Sequence, residues 1–327
     1  MYASKTYIDF MLKNQDPRVR FIYAKNSWNS KVVDSFLKAG KAVPSFIMAN
    51  VETEEIDGKT RFKAWKGLGE PWVRYHGYPT DFNVGVDDAF ADWFKSDNAK
   101  YDDQHSYNRI SYIQEEMLRG RVDFTVPVAA EDDTKVIRDT EDVPWWGMYM
   151  STAEVNLYLA EFAIYEGATA QAQAYFQKAV KASVEEYDFL AAKNKIPYYG
   201  KTYDYDPFEA VIDLKEGEIE AMMAGDDAYT FSGTDAEKLE KIYLQQLLHF
   251  TLYPSEQYVT ARRSGYPAFN STILARPQYE LVPANKIPRR FPTGTLVDTD
   301  KMTPLKQEAY AQQGFTATPS GMYNEAI

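Results

Sequence analysis

One stretch of the chain, residues 145–190, most constrains what the chain can fold into. It contains two consecutive segments in which apolar residues recur at helical spacing. It reads WWGMYMSTAEVNLYLAEFAIYEGATAQAQAYFQKAVKASVEEYDFL. Thr152 is the expected N-cap of the first helix, and Gly167 is expected to end it. The apolar residues at helical spacing are Val155, Leu159, Phe162 and Ala163. The stretch therefore predicts a helical hairpin.

The second helix of this hairpin begins after Thr169 and alternates small residues with rings. Its expected packing stripe is Ala172, Phe176, Ala179, Val180 and Ser183. The pair resembles a tetratricopeptide-type hairpin, in the order Y-x-G and then A-x3-F-x2-A, at Tyr165, Gly167, Ala172, Phe176 and Ala179. One such unit cannot bury its own face, so neighbouring helices are expected. The only comparable downstream helix is predicted at residues 234–253.

The rest of the chain is predicted to be irregular. Asp57-Gly58 indicates a tight β-hairpin, and residues 87–95 could form a short helix. We predict a mainly α fold, a tetratricopeptide-like helical body with long irregular loops. Its single domain would comprise a loop-rich part at 1–144, a helical core at 145–253 and an irregular part at 254–327.

Composition narrows the function classes. The net charge of −12 disfavours binding to nucleic acid and to anionic lipid. The absence of cysteine excludes disulfides, thiolate metal sites and cysteine nucleophiles in these residues. No stretch approaches the roughly 20 apolar residues of a membrane span, and the N-terminus does not have the pattern of a signal peptide. Aromatic residues make up 15% of the chain, which suits contacts with sugars or peptides.

The sequence shows no pattern typical of catalysis. His76, His105 and His249 are scattered, without the spacing of a metal site. The acidic run at 130–142 could coordinate calcium but lacks the spacing of an EF-hand loop, and a chance acidic loop is the stronger interpretation. We therefore expect no enzyme activity, cofactor or metal. A glycosidase with two loop carboxylates remains a third hypothesis.

Two adjacent arginines end a helix before Ser-Gly-Tyr-Pro. Glu154 and Glu161 lie two turns apart on one helix face among apolar residues. We expect Arg262 and Arg263 to pair with them as structural ion pairs, since a guanidinium can hold a carboxylate through two hydrogen bonds. The alternative is an anion site for a phosphate or a sugar acid.

The glycine-rich loop at 62–78 is the predicted ligand surface. Its rings are Trp65, Trp72, Tyr75 and Tyr78, with Lys63, Lys66 and Arg74 as hydrogen-bond donors. Such rings can stack on sugars or clamp a peptide. The equally weighted alternative makes them the private core of the loop. Trp145 and Trp146, in contrast, are expected to pack against the following helix.

The order of these segments resembles the C-terminal part of the SusD/RagB family, in its SusD-like branch. The segments that match are STAEVNLYLAEFAIYEG, YFQKAVKASVEEY, KLEKIYLQQLLHF, ARRSGYP and IPRRFPTG, between about residues 145 and 310. The resemblance implies a non-catalytic outer-membrane lipoprotein that binds an oligosaccharide, or a peptide, and partners a SusC-like TonB-dependent transporter. A tetratricopeptide-type scaffold that binds only a protein partner is the hypothesis from another class.

The chain also departs from the family pattern. Members usually run longer and carry a lipidated cysteine at the mature N-terminus, which these 327 residues do not contain. The resemblance therefore implies that the chain begins near the middle of the family pattern, without the first helical repeats, the signal peptide and the lipid-anchor cysteine.

Overall fold

The computed structural model describes residues 3–78, 107–120, 124–126, 135–137, 145–203, 206–225, 228–275 and 297–314. In this part the chain is mainly α-helical, as predicted. It divides into two compact units, Met1–Lys241 and Ile242–Ile327, and the division falls inside a helix. The expected helix at 87–95 and His105 lie outside the described residues. The division into three parts stays a prediction.

Most helices before the central hairpin are short, and the longer ones follow it. The described helices are α1 Lys5–Lys13, α2 Arg18–Ile22, α3 Ser30–Lys38, α4 Ser45–Met48, α5 Glu116–Arg119, α6 Thr152–Tyr165, α7 Thr169–Lys193, α8 Glu218–Ala224, α9 Asp235–His249, α10 Pro254–Ser264 and α11 Thr303–Gln312, with a 3₁₀ turn at Trp72–Arg74. The described strands are β1 Val51–Ile56, β2 Lys59–Trp65, β3 Phe124–Val126 and β4 Lys135–Ile137. Each consecutive pair of strands forms an antiparallel ribbon. The short strand β4 therefore lies within the acidic run considered for calcium.

The helical hairpin α6–α7 forms as the sequence predicts. Gly167 ends α6 with a φ of +74°, a conformation that glycine adopts without strain. The cap is Ser151 rather than Thr152, because the Ser151 hydroxyl accepts a hydrogen bond from the Glu154 N–H at 2.9 Å. Every member of the predicted α7 stripe is buried, namely Ala172, Phe176, Ala179, Val180 and Ser183. The short helix α2 packs against α7.

Of the four apolar residues predicted at helical spacing on α6, only Ala163 is buried. Val155, Leu159 and Phe162 are exposed by 43%, 37% and 55%. The buried face instead carries Ala153, Asn156, Leu157, Ala160, Glu161, Ala163 and Ile164. Since α6 is apolar on most of its circumference, periodicity could not decide which side faces inward. The small alanines take the contact with α7 and leave a stripe of larger side chains outside.

A second cluster forms the core beneath the β1–β2 ribbon. Trp28, Phe36 and Tyr107 are buried together, with ring centroids of Trp28 and Phe36 4.4 Å apart. The ribbon turns at Asp57-Gly58, as predicted, and both residues have positive φ values of 52° and 71°. Helix α3 packs against β2, and the Asp34 carboxylate accepts hydrogen bonds from the Arg61 side chain and the Phe62 N–H of that strand.

The second unit contains more helix than the sequence suggested. Helix α10 ends where Gly265 adopts a φ of +80° and its N–H donates to the Ala261 carbonyl at 2.8 Å. Glycine adopts this left-handed conformation without strain because it has no Cβ. The rings of Tyr243 and Tyr266 stack at 5.5 Å. Helix α11 was not predicted, because its alternating polar sequence has no clear apolar face.

Candidate ligand-binding loop and its buried support

The loop at 66–78 leaves β2 and is fastened at both ends by backbone hydrogen bonds. At its start the Lys66 N–H donates to the Asn50 carbonyl at 2.8 Å. At its end Tyr78 exchanges two bonds with the N-terminal segment, donating to the Ala3 carbonyl at 2.6 Å and accepting from the Lys5 N–H at 2.7 Å. A Cβ at Gly77 would lie 2.3 Å from the Lys5 Cα, so only glycine permits this approach.

Glu70 ties the middle of the loop to the interior of the first unit. Its carboxylate accepts from Lys25 Nζ at 2.7 Å and from Arg74 Nη1 at 2.8 Å. Lys25 also donates to the Ala210 carbonyl at 2.7 Å, and Arg74 donates to the Asn26 carbonyl. The three charged side chains are at most 3% exposed. These contacts fix the loop, because its opening would break the Glu70–Lys25 ion pair and the hydrogen bond from Arg74 to Asn26 and leave buried charges without partners.

The environment of Lys25 opposes its positive charge. Burial lowers the pKa of the Lys25 ammonium, the carboxylate of Glu70 opposes this shift, and the neighbouring Arg74 adds to it. The Lys25 ammonium also lies 4.3 Å from the ring centroid of Tyr198, a cation–π distance. Burial and Arg74 therefore disfavour the charged form of Lys25, whereas Glu70 and the Tyr198 ring stabilise it.

Arg20 supports the 3₁₀ turn of the loop from below. Its guanidinium makes a two-pronged ion pair with Glu218, at 2.6 and 2.5 Å. The guanidinium carbon lies 4.7 Å from the ring centroid of Trp72. Trp72 is thus held in one orientation while part of its surface stays accessible.

The four predicted ligand-binding rings have different environments. Trp65 packs against the core cluster, with its ring centroid 4.9 Å from that of Phe62. Trp72 and Tyr78 are partly exposed on the fastened loop. Tyr75 is 0% exposed, and its hydroxyl has no hydrogen-bond partner among the described residues. Burial raises the pKa of this hydroxyl, and the charge of Glu70 acts in the same direction.

These environments revise the predicted surface. Tyr75 belongs to the interior in this conformation, since a fully covered ring has no face to offer to a ligand. Trp65 is in large part an anchor for the loop, which is the alternative weighed for it. Arg74 is 1% exposed and directs its guanidinium toward Glu70, so it is not a donor to solvent. The surface that remains consists of Trp72 and Tyr78, with Lys63 and Lys66 exposed nearby in sequence.

The side chain of His76, also in this loop, points toward the interior. Its Nε2 is buried without a hydrogen-bond partner in the part of the chain that the structure describes, and its ring meets that of Phe46 at 4.8 Å. Burial, together with the positive charges of Arg74 and Lys5, lowers the pKa of His76 to about 4. The imidazole is therefore neutral at pH 7 and packs as part of the interior.

The four residues of the predicted ion pairs lie on helices of the two units. Glu161 is 2% exposed and Glu154 is half-buried, whereas Arg262 and Arg263 are exposed. Arg263 lies 5.4 Å from the ring centroid of Tyr243 and donates to the Gln246 side chain at 3.4 Å. Pairing of these arginines with the two glutamates stays a prediction.

The structure contradicts the expected burial of Trp145 and Trp146 against the following helix. Trp145 and Trp146 are 48% and 46% exposed, and Tyr149 is 100% exposed. The segment approaches the end of α7 rather than lying under α6, because Asn194 holds the backbone of Trp146 there. The density of large rings in this segment is the sequence signal for an exposed surface, whereas a position directly before a core helix favours burial.

The described residues contain no group of three His, Asp or Glu side chains that could hold a metal ion. No described helix is both long enough and apolar enough to cross a membrane. What the geometry does show is a helical-hairpin scaffold bearing ordered loops with partly exposed rings. Proteins of the helical-scaffold class have this architecture, and partly exposed rings on such loops are compatible with ligand binding.

Residues 94–293 match the sequence profile of a family described as starch-binding and associating with the outer membrane, the SusD-like family. The chain belongs to the SusD-like family, and the resemblance noted in the sequence is thereby confirmed. No curated protein matches the chain.

Three solved structures show similarity at low identity. The first is a SusD homologue from Bacteroides fragilis, which has 20% identity and a TM-score of 0.42, with 84% of this chain and 43% of that chain covered. The second is an outer-membrane protein from Bacteroides vulgatus whose description associates it with nutrient binding; it has 18% identity and a TM-score of 0.46, with 96% of this chain and 48% of that chain covered. The third is a SusD-like protein of Bacteroidetes AC2a, which has 16% identity and a TM-score of 0.46, with 99% of this chain and 54% of that chain covered. The chain spans about half the length of these proteins. Membership of the family rests on the sequence match of residues 94–293.

Proposed function

We propose that this protein is a non-catalytic nutrient-binding protein of the cell surface, a lipoprotein of the outer membrane in its full-length form. It captures an oligosaccharide and passes it to a SusC-like TonB-dependent transporter. The observation that carries this proposal is the match of residues 94–293 to a family described as starch-binding and associating with the outer membrane.

The fastened loop at 66–78 supplies a ligand surface compatible with this function. Trp72 and Tyr78 are partly exposed, and the Glu70 ion pairs together with Arg20 restrict how far their loop can move. A ring that is already oriented loses little conformational entropy when it stacks on a sugar. Lys63 and Lys66 add exposed donors for hydroxyl groups.

Two alternatives use other features of the molecule. A peptide-binding member of the same family would use the same rings. A tetratricopeptide-type interaction scaffold is favoured by one specific observation, the exposed apolar stripe Val155, Leu159 and Phe162 on α6. Contiguous apolar surface of this kind is typical of protein contacts.

Calorimetric titration with a linear starch fragment, maltoheptaose, tests the main proposal. The parent protein is expected to bind. Trp72→Ala and Tyr78→Ala are expected to weaken binding at least about tenfold, or ~1.4 kcal/mol, with little change in melting temperature. Tyr165→Ala is the matched control, because this ring is 65% exposed at the far end of α6.

Tyr75→Ala distinguishes residues that contact the ligand from residues that only support the loop. Because the Tyr75 ring is fully buried, its removal is expected to lower stability by about 3–5 kcal/mol. Absence of binding to any glycan in a broad screen, combined with binding to peptides, would favour the peptide-binding alternative. Binding to neither would leave the scaffold hypothesis in its place.

A further inference from the structure

A corner of two rings and one ammonium group lies at the end of the helical hairpin, apart in sequence from the loop at 66–78. The rings of Trp146 and Phe189 stand at 89° to each other with centroids 6.3 Å apart. The Lys193 ammonium lies 5.5 Å from the Trp146 ring centroid and 5.4 Å from that of Phe189. We call these three residues the Trp146 corner.

The corner is exposed in spite of its apolar character. Trp146 is 46% and Phe189 51% exposed, and Lys193 is also on the surface. Isolated exposed hydrophobic side chains are common, but two large rings arranged around one cation are a less ordinary surface feature. The arrangement combines a flat apolar face, a perpendicular wall and a hydrogen-bond donor.

The backbone that carries Trp146 is held rigidly. The Asn194 side chain accepts from the Trp146 N–H at 2.8 Å and donates to the Trp146 carbonyl at 2.8 Å. Asn194 itself is 2% exposed and caps the end of α7, the helix that also carries Phe189 and Lys193. All three residues of the corner are therefore held at the C-terminal end of α7. This limits the conformational entropy that the corner would lose when a ligand binds.

A neighbouring ring is fixed by a glycine. A Cβ at Gly147 would lie 2.5 Å from Cη2 of Trp145, so the Trp145 ring lies directly over the Gly147 backbone. The absence of a side chain at Gly147 therefore makes room for the Trp145 ring. All of these residues fall within 94–293, the part that matches the family, whereas the loop at 66–78 falls outside it.

We propose that the Trp146 corner is a saccharide-docking site in which a pyranose ring lies on the face of Trp146 against Phe189, while Lys193 donates to a sugar hydroxyl or carboxylate. The axial hydrogens of a pyranose make one of its faces apolar, which suits an indole surface. The Lys193 ammonium is within reach of polar groups at the edge of such a ring. This site rests on the proposed function and adds a second contact to it.

Titration of ¹⁵N-labelled protein tests the site directly, because the chain has six tryptophans and each indole N–H reports on its own surroundings. Trp146→Phe and Trp72→Phe assign the two relevant signals. Maltoheptaose and an acidic counterpart, trigalacturonic acid, are titrated separately. We expect the Trp146 signal to shift with at least one of them. Trp146→Ala and Phe189→Ala are expected to weaken that binding at least tenfold, and Tyr165→Ala to leave it unchanged.

Lys193→Gln identifies the sugar class. A selective loss of trigalacturonic acid binding would assign an acidic sugar, and an equal effect on both would assign hydroxyl contacts. If the sugars shift the Trp72 signal but not that of Trp146, the corner is not a sugar site and the proposed function stands. If neither signal shifts and neither sugar binds, the corner proposal is overturned, and the broad glycan screen decides separately whether the oligosaccharide function stands. A Trp146 shift that survives Phe189→Ala and Lys193→Gln with unchanged affinity would also overturn the corner.

Discussion

Single buried charges determine how the candidate loop is held. Glu70 accepts from two cations, and each of the three side chains is almost completely covered. The partners come from residues 25, 70 and 74, so no local sequence pattern reveals the cluster. Arg74 illustrates the difficulty, because an arginine in a glycine-rich loop is expected at the surface, whereas here it fills an interior position beside Asn26.

Glu70→Gln is expected to destabilise the protein by about 3–5 kcal/mol, because it leaves Lys25 and Arg74 buried without a counter-charge. Chemical denaturation monitored by circular dichroism measures this loss. Glu54→Gln on the exposed strand β1 is the control and is expected to change stability by less than about 0.5 kcal/mol. Equal stabilities of the two variants would show that the Glu70 cluster does not hold the loop.

His76 is expected to make stability depend on pH in the acid range. Its pKa is lowered to about 4 in the folded protein by burial and by the charges of Arg74 and Lys5, against 6.5 for an ordinary histidine. The unfolded chain therefore binds more protons between these values, so stability is complete above about pH 6.5 and falls as the pH falls toward 4. The loss is expected to approach about 3 kcal/mol at the acid end.

Comparison with His76→Phe isolates this contribution. Unfolding free energies of both proteins at pH 7, 5.5 and 4.5 give the difference attributable to one imidazole. The parent is expected to lose stability faster than the variant over this range. Parallel losses in the two proteins would mean that the imidazole does not titrate differently in the folded state.

At the scale of elements, the sequence predicts the positions of the turns better than it predicts which face of a helix is buried. Gly167, Gly265 and Asp57-Gly58 each mark a turn that forms, because positive φ angles restrict the residues that can occupy it. The α7 stripe is also predicted, since polar residues separate its members. Helix α6 has apolar residues on most sides, and Trp146 takes its position from Asn194, 48 residues away. Neither arrangement follows from local periodicity.

The exposed stripe of α6 is expected to bind a hydrophobic dye. Leu159→Ser and Phe162→Ser together should reduce dye fluorescence markedly, because they remove two large side chains from the surface. Their melting temperature should change little, since neither residue is buried. The control pair Leu157→Ser and Ala160→Ser lies on the covered face, and its loss of stability should exceed that of the stripe pair. Unchanged dye binding in the stripe variant would show that the stripe is not the accessible apolar surface.

At the scale of the whole molecule, the net charge is compatible with the description of the matched family. A chain with a net charge of −12 repels nucleic acid, and the SusD-like family is described by starch, a neutral polymer. The family could be inferred from the order of short segments along the chain, although no single segment is specific. The candidate ligand surfaces could not be inferred from the sequence, because the burial of Tyr75 and the exposure of Trp146 depend on contacts that only the folded chain makes.

The predicted pairing of Glu154 and Glu161 with Arg262 and Arg263 can be tested in solution. A double-mutant cycle with Glu161→Gln and Arg262→Met, repeated with Arg263→Met, measures the coupling free energy of each pair. Because both arginines are exposed, each arginine variant alone is expected to cost no more than about 1 kcal/mol, well below the loss typical of a broken buried pair. Glu161→Gln is expected to cost more, since that carboxylate is 2% exposed. A coupling above about 0.5 kcal/mol supports the structural ion pair. Coupling near zero, together with loss of acidic-sugar binding in the arginine variants, would instead assign the arginines to an anion site.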